Sequence, residues 1–217
     1  IGADELPAVT QLFTEPYMVR FLLHNTLGAW WAGKVLAADP VLALTATSED
    51  TLRAACSLPD YSFEMLRFVR EGQDGGWRPA AGTFPGWPKD AKALTVLDPC
   101  CGSGHFLTEA LAALAAFRKS EEHLSSADAV AAALVDNLHG LEIDGRCVQI
   151  AAFAVALTAW RLGGWQTLPL PQIAWVGAPP PLPRREFIAF FDETAAPEIY
   201  TPALHDLFAQ APVLGTL

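Results

Sequence analysis

The stretch Asp98-Pro99-Cys100-Cys101-Gly102-Ser103-Gly104-His105-Phe106-Leu107 decides the fold class of this chain. It follows the compact run Leu94–Leu97 and precedes a helical pattern over His105–Phe117. A strand that ends in a carboxylate and turns through glycines into a helix forms a shallow crevice. Glycine lets backbone N–H groups approach a ligand, and the helix N-terminus adds partial positive charge. No Lys-Ser/Thr follows as in a P-loop, and the third glycine of the dinucleotide pattern is absent, so the stretch predicts a binding turn of another kind.

The segments that follow alternate between helix and strand. A polar bridge over Arg118–Ser126 leads to an alanine-rich helix at Ala127–Asp136, and a second strand is predicted at Leu138–Ile143. A long helix then runs through Ala159, and a third strand is predicted at Gln172–Val176. This alternation predicts an α/β fold with a parallel sheet, whose ligands bind at the carboxyl ends of the strands.

The N-terminal part has the periodicity of helices. Apolar residues recur at helical spacing from Gln11 to Ala37, and Thr14 before Glu15-Pro16 predicts a helix start with Thr14 as the N-cap. Short helices are predicted at Thr51–Cys56 and Phe63–Glu71. The stretch Gly72–Pro88 is dense in Gly, Pro and Trp, which predicts a loop or a domain joint.

Composition excludes several classes of protein. With 217 residues, 52% apolar and 18% charged, the chain is globular. The apolar stretch Cys147–Trp160 is too short to span a bilayer, and Ile1–Glu5 is no basic leader. We therefore expect a cytoplasmic chain, neither membrane-bound nor secreted, and one excised from a longer protein.

Charge and cysteine usage add further limits. The net charge of −10 makes the chain a poor binder of the phosphate backbone by itself, because such binding needs clustered Lys and Arg. The four cysteines show no metal-ligand spacing, so no metal site and no disulfide framework is predicted. Cys100 and Cys101 are expected to be small buried spacers without a nucleophilic role, since no neighbouring base is evident.

Two carboxylates follow the second predicted strand. One carboxylate there can accept both hydrogen bonds of a ribose diol. Glu142 at the strand terminus is the better ribose candidate, because Asp144 precedes a helix and is expected to cap it. In dinucleotide-binding sheets the ribose-binding acid follows the glycine turn by ~20 residues, and here the separation is about twice as long. The insertion Arg118–Asp136 explains the extra length.

Three parts of the sequence resemble one family. The stretch Asp98–Leu107 resembles motif I of S-adenosylmethionine-dependent DNA methyltransferases, in the Asp-Pro-x-x-Gly-Ser-Gly-x-Phe form typical of the adenine-N6 branch. The segment Gln11-Leu12-Phe13-Thr14-Glu15-Pro16-Tyr17 resembles motif X, and Gly140-Leu141-Glu142-Ile143-Asp144 with Val148-Gln149-Ile150-Ala151 resembles motif II and its helix. The likeness is greatest to the large methylase-bearing proteins of restriction-modification and BREX-like phage-defence systems.

The resemblance implies a partial Rossmann-like class I methyltransferase sheet at residues 91–217, behind an N-terminal helical segment at 1–90, and S-adenosylmethionine as the cofactor. Asp98 and its turn would meet the methionine moiety, while Phe13 and Thr14 close over the same end. Glu142 would hold the ribose hydroxyls, with Ile143 beside the adenine. The implied cofactor-binding residues are Phe13, Thr14, Asp98, Pro99, Cys100, Gly102, Ser103, Glu142 and Ile143.

The sequence departs from the family at two places. Val176-Gly177-Ala178 stands where the family has a polar residue for the adenine amino group, a contact that backbone groups of Gly177 or Ala178 could supply. The catalytic Asn-Pro-Pro-Tyr/Phe motif, which accepts and stacks a flipped base, is absent, and Pro179-Pro180-Pro181 cannot replace it. We therefore assign no catalytic residue, and we expect DNA to be bound by segments outside this chain.

Two other functions remain open at this point. The same sheet also serves methyltransferases that act on small molecules or proteins. The form of motif I and the Phe13-Thr14 segment weigh against that alternative. A degenerate module that binds cofactor or a partner without chemistry is the second alternative. Tryptophans such as Trp30, Trp31, Trp77 and Trp87 could serve it as an interaction face, but core and joint packing is the expected role of these rings.

Overall fold

The computed structural model describes residues 14–70, 72, 75–176, 182–193, 205–206 and 209. Its helices are α1 Pro16–His24, α2 Leu27–Ala38, α3 Pro40–Thr45, α4 Glu49–Cys56, α5 His105–Glu122, α6 Ser126–Asp136, α7 Gly145–Gly163 and α8 Arg184–Glu193. Its strands are β1 Phe68–Arg70, β2 Trp77–Pro79, β3 Val96–Asp98, β4 Leu138–Glu142 and β5 Gln172–Trp175, and a short 3-10 helix, Ala91–Ala93, precedes β3.

Strands β3, β4 and β5 form a parallel sheet in that order, which confirms the predicted α/β alternation. Asp98 pairs with Gly140, and Glu142 pairs with Trp175. Because parallel strands end at the same edge of a sheet, the carboxyl-terminal residues Asp98, Glu142 and Trp175 meet there. The candidate site of the sequence analysis lies at this edge.

Helix α5 covers one face of the sheet, and α6 and α7 pack on α5. A Cβ atom on Gly140 would lie 2.9 Å from Leu107 Cδ1 of α5, so this glycine allows helix and strand to approach closely. The opposite face is different. Leu97 is 56% exposed there and borders a shallow groove that Leu141 and Ala174 also line. Within the described residues, that face of the sheet is open.

The N-terminal helices share one hydrophobic core with the sheet domain. Trp31 of α2 stacks on Phe117 of α5 with ring centroids 5.1 Å apart, and its indole N–H donates to the carbonyl of Cys56. Trp30 is also buried and donates to the carbonyl of Pro88. The expected core role of these two tryptophans is confirmed, and the core continues across the predicted domain boundary at residue 90.

The predicted helix at Phe63–Glu71 is wrong. Phe68–Arg70 is strand β1, which pairs antiparallel with β2 inside the stretch that was predicted to be a loop. Backbone N–H groups in this region find partners far away in sequence: Phe68 N–H donates to the Glu49 carboxylate, and Arg67 N–H donates to the Asn25 side chain. Tertiary hydrogen bonds of this kind override the local helical pattern.

Two element ends also differ from the predictions. Thr14 is not the N-cap of α1, since Glu15 holds that position and no side chain accepts a capping hydrogen bond. Pro16, at the first helical position, starts α1 without such a bond. Helix α5 continues past Phe117 because the guanidinium of Arg118 is buried and is paired with Glu122 of the next turn and with Asp136 of α6.

Candidate functional site

The turn after β3 is held by backbone hydrogen bonds on both sides. Cys100 N–H donates to the Asp98 carboxylate at 3.1 Å, and Cys101 N–H donates to the carbonyl of Leu141 at 2.9 Å. Gly104 N–H closes the turn by donating to the carbonyl of Cys101 at 2.8 Å. The turn is therefore fixed to β4 before α5 begins.

The two glycines of the turn serve different purposes. Both adopt left-handed backbone conformations, with φ of 54° at Gly102 and 88° at Gly104. A Cβ on Gly104 would lie 3.1 Å from Cα of Ala151, so Gly104 lets α5 start against α7. Nothing lies within 4 Å of the position that a Cβ on Gly102 would take. Gly102 thus leaves open space above the turn.

Glu142 joins the turn to the end of β4. Its side chain is buried, with 8% exposure, and Oε2 accepts from Gly102 N–H at 2.7 Å. Oε1 accepts from Asp144 N–H at 2.9 Å. Each carboxylate oxygen can accept a second hydrogen bond, so the backbone bonds orient Glu142 without using all its acceptor capacity. The structure thus brings Asp98, Gly102 and Glu142 together.

Asp98 is a carboxylate in an unfavourable environment. Burial raises its pKa above the ordinary 3.8, the charge of Glu142 raises it further, and the hydrogen bond from Cys100 N–H opposes both. Asp98 and Glu142 repel one another across a crevice. Their hydrogen bonds come from backbone N–H groups, and no basic side chain in the described part of the chain pairs with either carboxylate. Such a pair of acids suits a cationic group or hydroxyl donors.

Asp144 is the N-cap of α7, as predicted. Its carboxylate accepts from the backbone N–H of Arg146 at 2.9 Å and pairs with the guanidinium of the same residue at 2.6 Å. These bonds hold its pKa at about 2. The Asp144 carboxylate is therefore used to cap α7. Glu142, in contrast, contacts the glycine turn and lies in the crevice.

The expectation that both cysteines of the turn are buried is wrong for Cys100. Cys101 is buried against β4, and a Cβ on Gly140 would lie 3.2 Å from its sulfur. Burial raises the pKa of Cys101 to about 12, so its thiol is inert at neutral pH. Cys100 follows the exposed Pro99 and faces solvent. The hydrogen bond from Cys101 N–H to the carbonyl of Leu141 holds only Cys101 against β4.

One residue at the site was missed by the sequence analysis. Trp175 ends β5 with 56% of its surface exposed, and its indole N–H donates to the carbonyl of Ile143 at 2.8 Å. Its ring also lies beside Gly145, at the start of α7. An aromatic residue at the last position of the third predicted strand was the available signal. Trp175 and the half-buried Ile143 thus border the crevice on the side away from Asp98.

The N-terminal part of the predicted site stays a prediction. Thr14 is exposed ahead of α1 and, among the described residues, forms no hydrogen bond with the glycine turn. Phe13, Gly177 and Ala178 lie outside the described residues. Ser103 of the turn is half-buried, as a residue bordering a crevice would be.

The described part of the chain includes neither a candidate metal site nor a membrane-spanning helix. No group of three or more His, Cys, Asp or Glu side chains there could hold a metal ion. None of the helices described is both long and apolar enough to cross a membrane.

Comparison with known proteins gives one family match. The model of the MmeI DNA-methyltransferase domain matches residues 88–165, which contain β3, the glycine turn, α5, α6, β4 and the whole of α7. A structure of a nuclease-deletion mutant of the Type ISP restriction-modification enzyme LlaGI with a DNA substrate mimic overlaps 55% of this chain and 9% of that chain. That overlap has 18% identity and a TM-score of 0.33.

Two curated relatives match a longer part of the chain. The adenine-specific methyltransferase BrxX of Escherichia coli O9:H4 (strain HS) is 30% identical over 159 residues, which are 73% of this chain and 12% of the relative. The adenine-specific methyltransferase PglX of Lacticaseibacillus casei (strain Zhang) is 31% identical over the same share of each chain. The chain thus spans 12% of the length of these relatives. Together with the glycine turn and its carboxylates, these matches show that the chain belongs to the methyltransferase family that includes BrxX and PglX.

Proposed function

We propose that this chain is the S-adenosylmethionine-binding portion of a DNA adenine-N6 methyltransferase in a restriction-modification or phage-defence system. The observation that carries the proposal is the hydrogen bond from Gly102 N–H to Glu142, which unites the glycine turn and two carboxylates in one crevice. The names of the relatives, adenine-specific methyltransferases, support the reaction.

The turn fits the methionine end of the cofactor. Asp98 uses one oxygen for Cys100 N–H and keeps lone pairs that can accept from an ammonium group. A cation beside Asp98 would also offset the burial that raises the pKa of this carboxyl. The open space above Gly102 leaves room for a ligand to approach the backbone.

The far side of the crevice fits the nucleoside. Glu142 is oriented by two backbone bonds and has acceptor capacity left for ribose hydroxyls. Ile143 follows directly and offers an apolar side chain to the adenine, and the exposed ring of Trp175 borders the same place. When bound, S-adenosylmethionine supplies an electrophilic methyl group, which these residues hold and orient.

The catalytic amide must come from another segment of the protein. The sequence has no Asn-Pro-Pro-Tyr/Phe motif, and both of its asparagines are used elsewhere. Asn25 donates to the carbonyls of Phe21 and Met65, and the buried Asn137 donates to the carbonyls of Ala91 and Leu94. We propose that base acceptance and DNA binding belong to segments outside these 217 residues.

We further propose that the sheet is part of a Rossmann-like class I sheet. In doubly wound sheets the ligand crevice lies where strand order reverses, so a strand is needed on each side of the one that carries the turn. β3 carries the turn, and β4 is its one partner in the described sheet. The exposed Leu97 and the open groove beside it support the same assignment, because a doubly wound sheet carries helices on both faces and this face is uncovered in the described residues.

Calorimetric titration with S-adenosylhomocysteine tests the proposed function. The unmodified chain should bind, Asp98→Ala should lose most of the affinity, and Asp50→Ala, which removes an exposed carboxylate of α4, should bind normally. Equal heats for the unmodified chain and Asp98→Ala would contradict the role of Asp98. Absence of binding by the unmodified chain would contradict the proposed function itself.

A further inference from the structure

A single peptide unit lies between the indole of Trp175 and the carboxylate of Glu142. The carbonyl of Ile143 accepts from the Trp175 indole N–H at 2.8 Å. The N–H of Asp144, which belongs to the same peptide unit, donates to Oε1 of Glu142 at 2.9 Å. Because a trans peptide unit is planar, its C=O and N–H point in opposite directions and turn together. A hydrogen bond that fixes the carbonyl therefore also fixes the direction of the N–H.

The two hydrogen bonds also strengthen one another. A donor on the carbonyl of an amide polarises the whole group and makes its N–H a better donor. An indole N–H can only donate and an ionised carboxylate can only accept, so the path has one direction, from Trp175 to Glu142. It ends on Oε1, whereas Oε2 of the same carboxylate accepts from Gly102 N–H at 2.7 Å. One of the two bonds that orient Glu142 thus depends on a side chain of β5.

The sheet and the start of α7 hold Trp175 in place for this contact. Trp175 pairs in register with Glu142, and the next residue, Val176, donates its N–H to the carbonyl of Glu142 at 2.9 Å. The indole lies against the first residue of α7, since its Cε2 is 3.7 Å from the position that a Cβ on Gly145 would take. Strand pairing and this contact together direct the indole N–H at the carbonyl of Ile143.

Loss of the indole N–H would release the peptide unit that joins Ile143 to Asp144. Water can hydrogen-bond the freed carbonyl, but a mobile water does not hold it in one direction. Rotation of the peptide unit turns the N–H of Asp144 away from Oε1 of Glu142 and leaves that oxygen without its orienting donor. Because Gly102 N–H still holds Oε2, the carboxylate would lose part of its orientation and keep the rest.

We propose that Trp175 is a positioning residue that acts through the peptide unit between Ile143 and Asp144 and holds Glu142 in the direction needed to accept the ribose hydroxyls of the cofactor. This inference rests on the proposed function. The effect of Trp175 on the ribose end requires no contact between its ring and the ligand. A direct contact of the ring with the adenine is the rival role, and the experiments below distinguish the two.

Amide hydrogen exchange in the ligand-free chain, followed by nuclear magnetic resonance, tests the path itself. Trp175→Phe removes the indole N–H and keeps an aromatic ring. The amide of Asp144 should exchange at least about threefold faster in this variant, because its hydrogen bond to Glu142 weakens. Trp77→Phe is the matched control, since it removes an indole N–H that donates to the carbonyl of Ala46 at 2.9 Å. It should leave exchange at Asp144 unchanged. Unchanged exchange at Asp144 in Trp175→Phe would overturn the inference.

Calorimetry with two ligands measures the effect on binding. The ligands are S-adenosylhomocysteine and its counterpart without the ribose 2′-hydroxyl. Trp175→Phe should weaken binding of the first about threefold and binding of the second much less, because only the first offers the full set of hydroxyls to Glu142. Trp77→Phe should bind both ligands as the unmodified chain does. Equal losses for both ligands in Trp175→Phe would assign the ring to the adenine or to folding, and would overturn the inference.

A double variant tests whether Trp175 acts through Glu142. In the background of Glu142→Ala, the change Trp175→Phe should cause no further loss of affinity for S-adenosylhomocysteine, because the carboxylate that it orients is gone. Losses that add up would mean that the two residues act independently, against the inference. Absence of binding by the unmodified chain would instead contradict the proposed function, so the two failures are distinguishable.

Discussion

The binding role proposed for Asp98 comes with a cost in stability. Its pKa is raised, so the folded chain binds a proton at this carboxyl more tightly than the unfolded chain does. At neutral pH the ionised group therefore lowers the free energy of unfolding, and this penalty disappears as the pH falls through the raised pKa. Strained or unpaired groups of this kind are typical of binding sites.

Asp98→Asn separates the two effects. The amide oxygen can still accept from Cys100 N–H, while the unfavourable charge is gone. We expect the ligand-free variant to melt at a higher temperature than the unmodified chain at pH 7 and at nearly the same temperature at pH 3, with weaker cofactor binding. Thermal melts followed by circular dichroism at both pH values measure the melting temperatures, and calorimetry measures the affinity for the cofactor. A lower melting temperature at pH 7 would contradict the assigned penalty.

Glu142 and Asp144 should respond differently to removal. Glu142→Ala should weaken cofactor binding at least about tenfold, because charge-assisted hydrogen bonds are worth roughly 1.5–3 kcal/mol each. It should also lower stability, since Gly102 N–H loses its acceptor. Asp144→Ala should lower the melting temperature through the lost cap of α7 and leave affinity nearly unchanged. Loss of binding in Asp144→Ala alone would reverse the two assignments.

At the scale of elements, the contact between β4 and α5 depends on Gly140. Gly140→Ala would place a Cβ 2.9 Å from Leu107 Cδ1 and 3.2 Å from the sulfur of Cys101. Overpacking of this kind costs about 1–3 kcal/mol, which urea titration can measure. Gly86→Ala is the control: its Cβ meets nothing within 4 Å, so stability should stay the same or rise slightly. Equal effects of the two changes would mean that the helix is free to move away from the strand.

At the scale of the whole molecule, the chain carries a net charge of −10 and lacks the motif that accepts a flipped base. We therefore expect these 217 residues alone neither to transfer a methyl group to DNA nor to bind a duplex at physiological salt. Tritiated-methyl transfer to unmethylated genomic DNA, with an adenine-specific methyltransferase such as BrxX beside it, measures the reaction. Methylation by this chain alone would place an acceptor site within its own residues.

The sequence by itself determined the alternation of strands and helices, the glycine turn and the role of Asp144 as a helix cap. These features depend on interactions between close neighbours in sequence. Left-handed backbone at Gly102 and Gly104 needs no partner, and Asp144 caps a helix that starts at the next residue. Local rules therefore suffice for them.

Only the tertiary structure decided the remaining features. Phe68–Arg70 is a strand because distant acceptors, among them Glu49, hold the backbone on its approach, and Cys100 is exposed because Cys101 bonds to β4. The hydrogen bond from Gly102 N–H to Glu142 likewise joins residues far apart in sequence. The same is true of the hydrogen bonds that Tyr61 forms with His24 and with Glu109. Such contacts form between groups that no local pattern relates, because chain folding alone brings donor and acceptor within reach.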